Sequence, residues 1–176
     1  TDHVAGLPAK SGDPSPWTAL GTIHGIRAMV EEYMGKDSLE GICVAVQGLG
    51  HVGLPLVKLL LEAGANITGT DINPDYCKTA AELGVKIIEP DAIYDVECDI
   101  FSPNALGAII NDETIPRIKC KIVAGASNNQ LKDIEKHSKV LQEKNIAYAV
   151  DYVINAGGVI NVAHEVGGYD EDTARA

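Results

Sequence analysis

The chain has 176 residues, 45% of them hydrophobic, with 14 Lys and Arg against 25 Asp and Glu, a formal net charge of −11. That length and apolar content describe one globular domain able to bury its own core, and exclude a disordered chain. The acidic balance excludes a basic patch for nucleic-acid phosphates or for an anionic membrane surface.

Residues 1–15 are rich in Gly, Pro and Ser and read as an irregular linker. Ser15 followed by Pro16 reads as a helix start, with the Ser hydroxyl as cap. Ala19, Ile23, Ile26, Val30 and Tyr33 then recur at helical spacing, giving one apolar helix face up to Gly35. A strand–helix alternation follows. Residues 42–46 form a continuous apolar run, as in a strand buried on both faces. A helix is expected over 51–63, with Val52, Leu56, Leu59 and Ala63 on one side and Gly64 as its stop. Strands are expected at 66–70, 85–88, 98–101 and 121–124, with a short helix opened by Asn73-Pro74 and stopped by Gly84. Residues 130–144 read as a polar helix and 146–153 as holding a sixth strand. A last helix starts near Gly157, with Val159, Val162, Ala163 and Val166 on one face. Such alternation requires an α/β fold: a Rossmann-type, doubly wound, mostly parallel sheet preceded by an N-terminal helix.

The strongest local signal is Gly48-Leu49-Gly50-His51-Val52-Gly53, directly after the first apolar strand and opening a helix. The first glycine permits a tight turn, the second lets a pyrophosphate approach the backbone, and the third lets helix and strand pack closely. Asp71 ends the second strand at the distance where a dinucleotide fold places the acid that accepts ribose hydroxyls. No Lys or Arg lies in 69–76 to attract a 2′-phosphate, so NAD is favoured over NADP. Ser127-Asn128-Asn129-Gln130 follows the fifth strand, and Asp151-Tyr152-Val153-Ile154-Asn155-Ala156-Gly157-Gly158 follows the sixth. Both lie at the carboxyl ends of strands, where ligands bind in open α/β sheets. The asparagines read equally as turn or helix caps, and Asp151 reads as fixing the loop before Asn155. The five histidines read as structural, with His137 in solvent, and Glu31-Glu32 and the 170–172 acids as solvated faces.

Cys43, Cys77, Cys98 and Cys120 contain no C-x-x-C, and no metal site is expected; Cys43 and Cys98 sit in apolar runs and read as buried, reduced thiols. With no signal peptide and no apolar run of about 18 residues, the expected location is the cytoplasm. The chain opens at Thr1 in a loop-like stretch and closes at Ala176 in what reads as the opening of a helix, so a fragment of a longer enzyme is expected.

Taken in order, Ser15-Pro16-x-Thr18-Ala19, Gln47-Gly48-Leu49-Gly50, Thr70-Asp71-Ile72-Asn73, Asp99-Ile100-Phe101-x-Pro103-x-Ala105-Leu106-Gly107, Ala124-Gly125-x-x-Asn128-Asn129-Gln130-Leu131 and the run from Asp151 to Ala163 resemble the NAD-binding domain of the Glu/Leu/Phe/Val amino-acid dehydrogenases, nearest the leucine dehydrogenase branch. Phenylalanine, valine and tryptophan dehydrogenases share the pattern. The resemblance implies reversible oxidative deamination of an apolar L-amino acid to a 2-oxo acid and ammonia, with hydride passing to NAD, in a homo-oligomer. It implies that Thr18 faces the nicotinamide carboxamide, and that Gly48, Leu49, Gly50, His51, Val52 and Gly53 hold the pyrophosphate. It places Asp71 and Ile72 at the adenosine, Ser102, Pro103 and Asn104 along the dinucleotide, and Ala126, Ser127 and Asn128 near the nicotinamide. Asn129, Asn155, Val159 and Val162 then meet the substrate. His51 departs from the Asn common in the family. The family's catalytic Lys and Asp belong to a preceding domain, so no catalytic residue is assigned within 1–176; the domain reading is a linker over 1–15 and a Rossmann domain over 16–176. Two readings stand beside this one: a stand-alone, non-catalytic NAD-binding module, and the dinucleotide domain of a hydroxy-acid dehydrogenase.

Overall fold

The computed structural model describes residues 12–164. His3, Val166, the expected helix opening at 169–175 and most of the linker lie outside them.

Helix α1 (Ser15–Met34) leads into β1 (Cys43–Gln47), α2 (Gly53–Glu62), β2 (Asn66–Thr70), α3 (Pro74–Glu82) and β3 (Lys86–Ile87). A 3-10 turn over Pro90–Asp95 leads to β4 (Ile100–Pro103), then β5 (Ile122–Val123), α4 (Ile134–Glu143), β6 (Ala147–Tyr148), α5 (Asp151–Ile154) and α6 (Gly157–Ala163). The sheet order is β3-β2-β1-β4-β5-β6, and each pairing is parallel. The chain builds outward from β1 to β3, then returns to lay β4 on the other side of β1. That reversal opens a crevice at the carboxyl ends of β1 and β4, the topological switch point of a doubly wound sheet.

The continuous apolar strands are buried on both faces because helices or packed turns cover both. Val44, Val46, Ile100 and Ile122 pack on one side with Ile23, Ile26, Leu56, Val57 and Leu60 from α1 and α2. Ala45, Phe101 and Val123 pack on the other with Ile110, Ile115, Ile118, Leu131 and Leu141. The second layer departs from strict strand–helix alternation. The β3–β4 crossover is the 3-10 turn, and residues 104–121 form turns rather than a helix. Asn111 organises them, its Oδ1 accepting the N–H groups of Glu113 and Thr114.

Several local expectations are corrected. Helix α1 is capped from outside: the Asp13 carboxylate accepts the Ser15 N–H at 2.9 Å, and no side chain at the cap position, Pro14, can do so. Tyr33 is exposed, so the buried face of α1 ends at Val30. Helix α2 starts at Gly53, because His51 and Val52 belong to the turn; its inward stripe is Gly53, Leu56, Val57 and Leu60. Helix α4 starts at Ile134, where the Asp133 carboxylate accepts the Lys136 N–H. The sixth strand within 146–153 is Ala147–Tyr148, and the residues that follow it, Asp151–Ile154, form a short helix. Cys43 is exposed at the amino end of β1, while burial pushes the Cys98 thiol up to about 12 and that of Cys120 up to about 11. His137 is buried rather than solvated. Its Nδ1 accepts the Asp133 N–H at 3.0 Å, so the imidazole closes the first turn of its own helix in the place a capping-box Glu would take.

The amino edge of the sheet carries an acid-sensitive clasp. Burial works against ionising Asp99, but the Cys43 N–H and the Lys121 ammonium, 3.1 and 3.0 Å away, together hold its carboxyl below the ordinary 3.8. Lys136 depresses Asp112, and Arg117, which forks to both, depresses Asp91 and Asp95. A depressed folded-state pKa means that the unfolded chain binds more protons, so this stability is present above 3.8 and lost below it. The urea midpoint is expected to fall as pH drops through that value, and Asp99→Asn to flatten the fall. An unchanged pH slope in that variant would assign the acid sensitivity to the other carboxylates.

Candidate functional site

The crevice is assembled from the residues that follow β1, β2, β4, β5 and β6. After β1 the chain turns at Gly48, whose φ of 93° only glycine adopts without strain, and its N–H donates to Thr70 O at 2.8 Å. A Cβ on Gly48 would meet Ala105 at 2.8 Å, so the β1 and β4 turns touch here. A Cβ on Gly53 would strike the Gly48 carbonyl oxygen, the closest approach of α2 to the strand. At Gly50 a Cβ meets only the Tyr76 ring, at 3.5 Å, and otherwise open space. The N–H groups of Gly50, His51 and Val52 have no protein hydrogen-bond partner among the described residues, and they stand at the positive end of α2. Unpaired donors, a bare Gly50 and open space above it fit an anionic pyrophosphate. The exposed His51 side chain lies 3.9 Å from the Asp13 carboxylate, so the linker's last residues edge the same turn.

Asp71 follows β2. Its Oδ2 accepts the Leu49 N–H at 2.7 Å and its Oδ1 the Asn73 N–H at 2.8 Å. The carboxylate is thus locked against the glycine turn, half-buried, with the exposed Ile72 beside it. Asn73 then caps α3 by accepting the Asp75 N–H.

Ser102 and Pro103 are buried in β4, so their side chains support the crevice while Asn104 reaches it. The Asn104 amide donates to Ser102 O and Oγ, both at 3.0 Å, and its Oδ1 accepts the Ala126 N–H. This ties the β4 end to the β5 end. Ser127 donates its N–H to Pro103 O, and its buried Oγ has no partner among the described residues. Asn128 and Asn129 are exposed at the lip, Asn129 with a φ of 51°. Asn155 brings the β6 end in: its Nδ2 donates to Asn128 Oδ1 at 2.6 Å and to Ala126 O at 3.2 Å. Asp151 fixes its loop, accepting the Tyr152 and Gln130 N–H groups. Burial first, and then Asp151, push the Tyr148 phenol up to about 12, so it stays protonated.

Thr18 and the α6 residues meet on a shared face. Gly157 sits against Trp17 O and Gly158 against the Thr18 hydroxyl, which donates to Pro14 O at 3.1 Å. The α6 side turned to α1 is Gly158 and Asn161. Val159 is 72% exposed and Val162 half-buried, so the valine face looks away from the core.

The contacts of Gln47 and Gln130, both within quoted motifs, were not legible in the sequence. Gln47 ends β1 and donates to Tyr94 OH at 2.7 Å, under Arg117 stacked 5.4 Å over the Tyr94 ring. Gln130 is fully buried, its amide donating to Gly125 O and Ser127 O. No short-range pattern announces either, because each partner is set by the turn that the side chain folds back upon.

Residues 73–170 match the family model for glutamate/leucine/phenylalanine/valine dehydrogenase. The chain belongs to the glutamate/leucine/phenylalanine/valine dehydrogenase family. It is 58% identical to leucine dehydrogenase from Thermoactinomyces intermedius over 178 aligned positions, covering 99% of this chain and 48% of that protein. The crystal structure of L-tryptophan dehydrogenase from Nostoc punctiforme superimposes with a TM-score of 0.91 at 47% identity, covering 93% of this chain and 50% of that one. A hetero-hexameric glutamate dehydrogenase from Thermus thermophilus shares the fold at 16% identity, with a TM-score of 0.74 over 93% of this chain and 43% of its own. The chain spans about half the length of the curated relatives it matches. No helix among the described residues is long and apolar enough to cross a membrane.

Proposed function

We propose that the crevice binds a nicotinamide dinucleotide, NAD in preference to NADP, and that residues 16–176 are the cofactor domain of a cytoplasmic, homo-oligomeric amino-acid dehydrogenase. The reaction is reversible oxidative deamination: an apolar L-amino acid, water and NAD⁺ give a 2-oxo acid, ammonium, NADH and a proton. The observation that carries this reading is the set of unpaired N–H groups at Gly50–Val52, with Asp71 locked beside them, in a chain of this family.

In this reading the N–H groups of the glycine turn and the α2 dipole hold the pyrophosphate. The second lone pairs of the Asp71 carboxylate, free beyond its two backbone bonds, accept ribose hydroxyls and repel a 2′-phosphate. Asn104 holds the β5 turn in place under the dinucleotide. When bound, the nicotinamide supplies the hydride acceptor for the substrate Cα. Asn128 and Asn129 offer neutral amides to the carboxamide or to the substrate. Val159 and Val162 present an apolar surface to the substrate side chain, in keeping with relatives named for leucine and tryptophan. The lysine and aspartate that move protons belong to the preceding domain of the longer enzyme. The family match sets aside a hydroxy-acid dehydrogenase; a non-catalytic binding module is separated from this reading by turnover.

The test follows NADH absorbance in the longer protein with Leu, Val, Phe and Trp. Substituting Val159 or Val162 by Ala or Leu is expected to change the relative kcat/KM among substrates by about 1–3 kcal/mol per pocket methylene, that is about tenfold or more, with little change in cofactor affinity. Flat relative specificity across both sites would remove the two valines from the substrate pocket, and no turnover by the longer protein would favour the binding module.

A further inference from the structure

We infer that Asn155 is a positioning residue: it latches the turn after β5 to the junction of α5 and α6, and so holds the Asn128 side chain in one orientation, with its N–H groups aimed outward. The inference deepens the dinucleotide reading and rests on it. Its chemistry is that of an amide with one free end. Asn155 Nδ2 spends both hydrogens inside the protein, on Asn128 Oδ1 at 2.6 Å and Ala126 O at 3.2 Å. With its oxygen turned in to Asn155, Asn128 holds Nδ2 outward, a donor that fits a carbonyl or carboxylate oxygen.

The backbone under Asn128 is already fixed from the other sides. Ala108 donates its N–H to Asn129 O at 2.6 Å, and a Cβ on Gly107 would meet Asn128 O at 2.7 Å. From within, the buried Gln130 amide donates to Gly125 O at 2.7 Å and Ser127 O at 3.0 Å. From α5, Asp151 Oδ2 accepts the Gln130 N–H at 3.2 Å. What remains undetermined is the rotation of the exposed Asn128 amide, whose terminal torsion is soft and roughly two-fold. Asn155 removes that freedom. Free, the amide would turn nitrogen or oxygen outward with comparable ease; latched, it keeps the nitrogen outermost and the oxygen on Asn155. The latch also joins the cofactor side of the crevice to the helix pair carrying Val159 and Val162, through residues 27 apart in sequence.

The experiment uses the 176-residue chain, nitrogen-labelled for NMR, with NADH as the probe. In the ligand-free chain, Asn155→Ala is expected to shift the Asn128 side-chain amide pair toward the averaged position of a solvent-exposed amide, leaving β1–β3 backbone peaks in place. Asn155→Leu, which keeps the volume and loses the donors without adding an acceptor, is expected to do the same, so a packing defect is not the cause. NADH affinity is expected to fall about five- to tenfold in Asn155→Ala and in Asn128→Ala, and the double variant to fall within about twofold of the weaker single one, because residues acting through one another are not additive. Additive losses, or an Asn128 amide unmoved in the ligand-free variants, would overturn the latch. Failure of the unmodified chain to bind NADH would instead overturn the dinucleotide reading, while the ligand-free spectra still decide whether Asn155 orients Asn128.

Discussion

Gly53→Ala is expected to lose about 3 kcal/mol of stability, the upper end for overpacking, because the new methyl meets a backbone carbonyl that cannot turn aside. For a domain of this size that is a fall in Tm of about 6–12 °C. The struck oxygen belongs to Gly48, itself wedged between Thr70 O and the Ala105 backbone, so relief at one contact creates another. Gly50→Ala separates fold from binding. Its methyl meets only the Tyr76 ring at an ordinary contact distance, so its Tm is expected within about 2–4 °C of the unmodified chain, a change under about 1 kcal/mol. It fills the space proposed for the pyrophosphate, so NADH affinity is expected to fall at least about tenfold, or about 1.4 kcal/mol. Calorimetry and fluorescence titration on the two variants check both halves. A Gly53→Ala chain as stable as its parent would mean that helix and strand do not approach as closely as described.

Asp71→Ala is expected to have a double effect. It strips the acceptor from the N–H of Leu49, a fully buried residue, and from that of Asn73, costing about 1–3 kcal/mol of stability. It also removes the charged acceptor proposed for the ribose, worth roughly 1.5–3 kcal/mol, and the charge that repels a 2′-phosphate. The NAD-to-NADP affinity ratio is therefore expected to narrow by about 10- to 100-fold, since each 1.4 kcal/mol is tenfold. Asp71→Asn separates the parts: it keeps an oxygen for one N–H and loses the charge, so it is expected to retain more stability than Asp71→Ala while losing as much discrimination. Urea unfolding read beside paired cofactor titrations checks this. An unchanged ratio in both variants would leave Asp71 as a brace for the turn and nothing more.

The half of the sheet from β1 to α3 was legible because its signals are local. A strand buried on both faces is a run of apolar residues, the glycine turn has a fixed spacing, and Asn73-Pro74 opens α3 with cap and proline adjacent. Asp71 was legible as an acid at the right distance, though its grip on the Leu49 N–H was not. The second half hid more, because its partners are distant. Residues 104–121 have no period, since turns built on Asn111 carry Ile110, Ile115 and Ile118 into the core. Gln130 reads as the first residue of a helix, yet its amide is drawn back to Gly125 and Ser127, which delays α4 until Asp133 can cap it. His137, flanked by Lys136 and Ser138, reads as a surface residue and is buried by its bond to the Asp133 N–H. The sixth strand was legible only as lying somewhere in 146–153; it is Ala147–Tyr148, and Asp151–Ile154 after it is a helical turn. Val159 and Val162 were read as one helix face, and they are; that face points outward, and the inward one is Gly158 and Asn161, where α6 lies against α1.

The crevice at the carboxyl ends of β1 and β4 is proposed to be an NAD site. Isothermal titration of the unmodified 176-residue chain with NAD and NADP, at one salt concentration, tests it most directly. One site per chain is expected, with NAD bound about 10- to 100-fold more tightly than NADP, the margin expected of a charged acceptor on the ribose. Equal affinity for the two cofactors, or no heat from either, would contradict it.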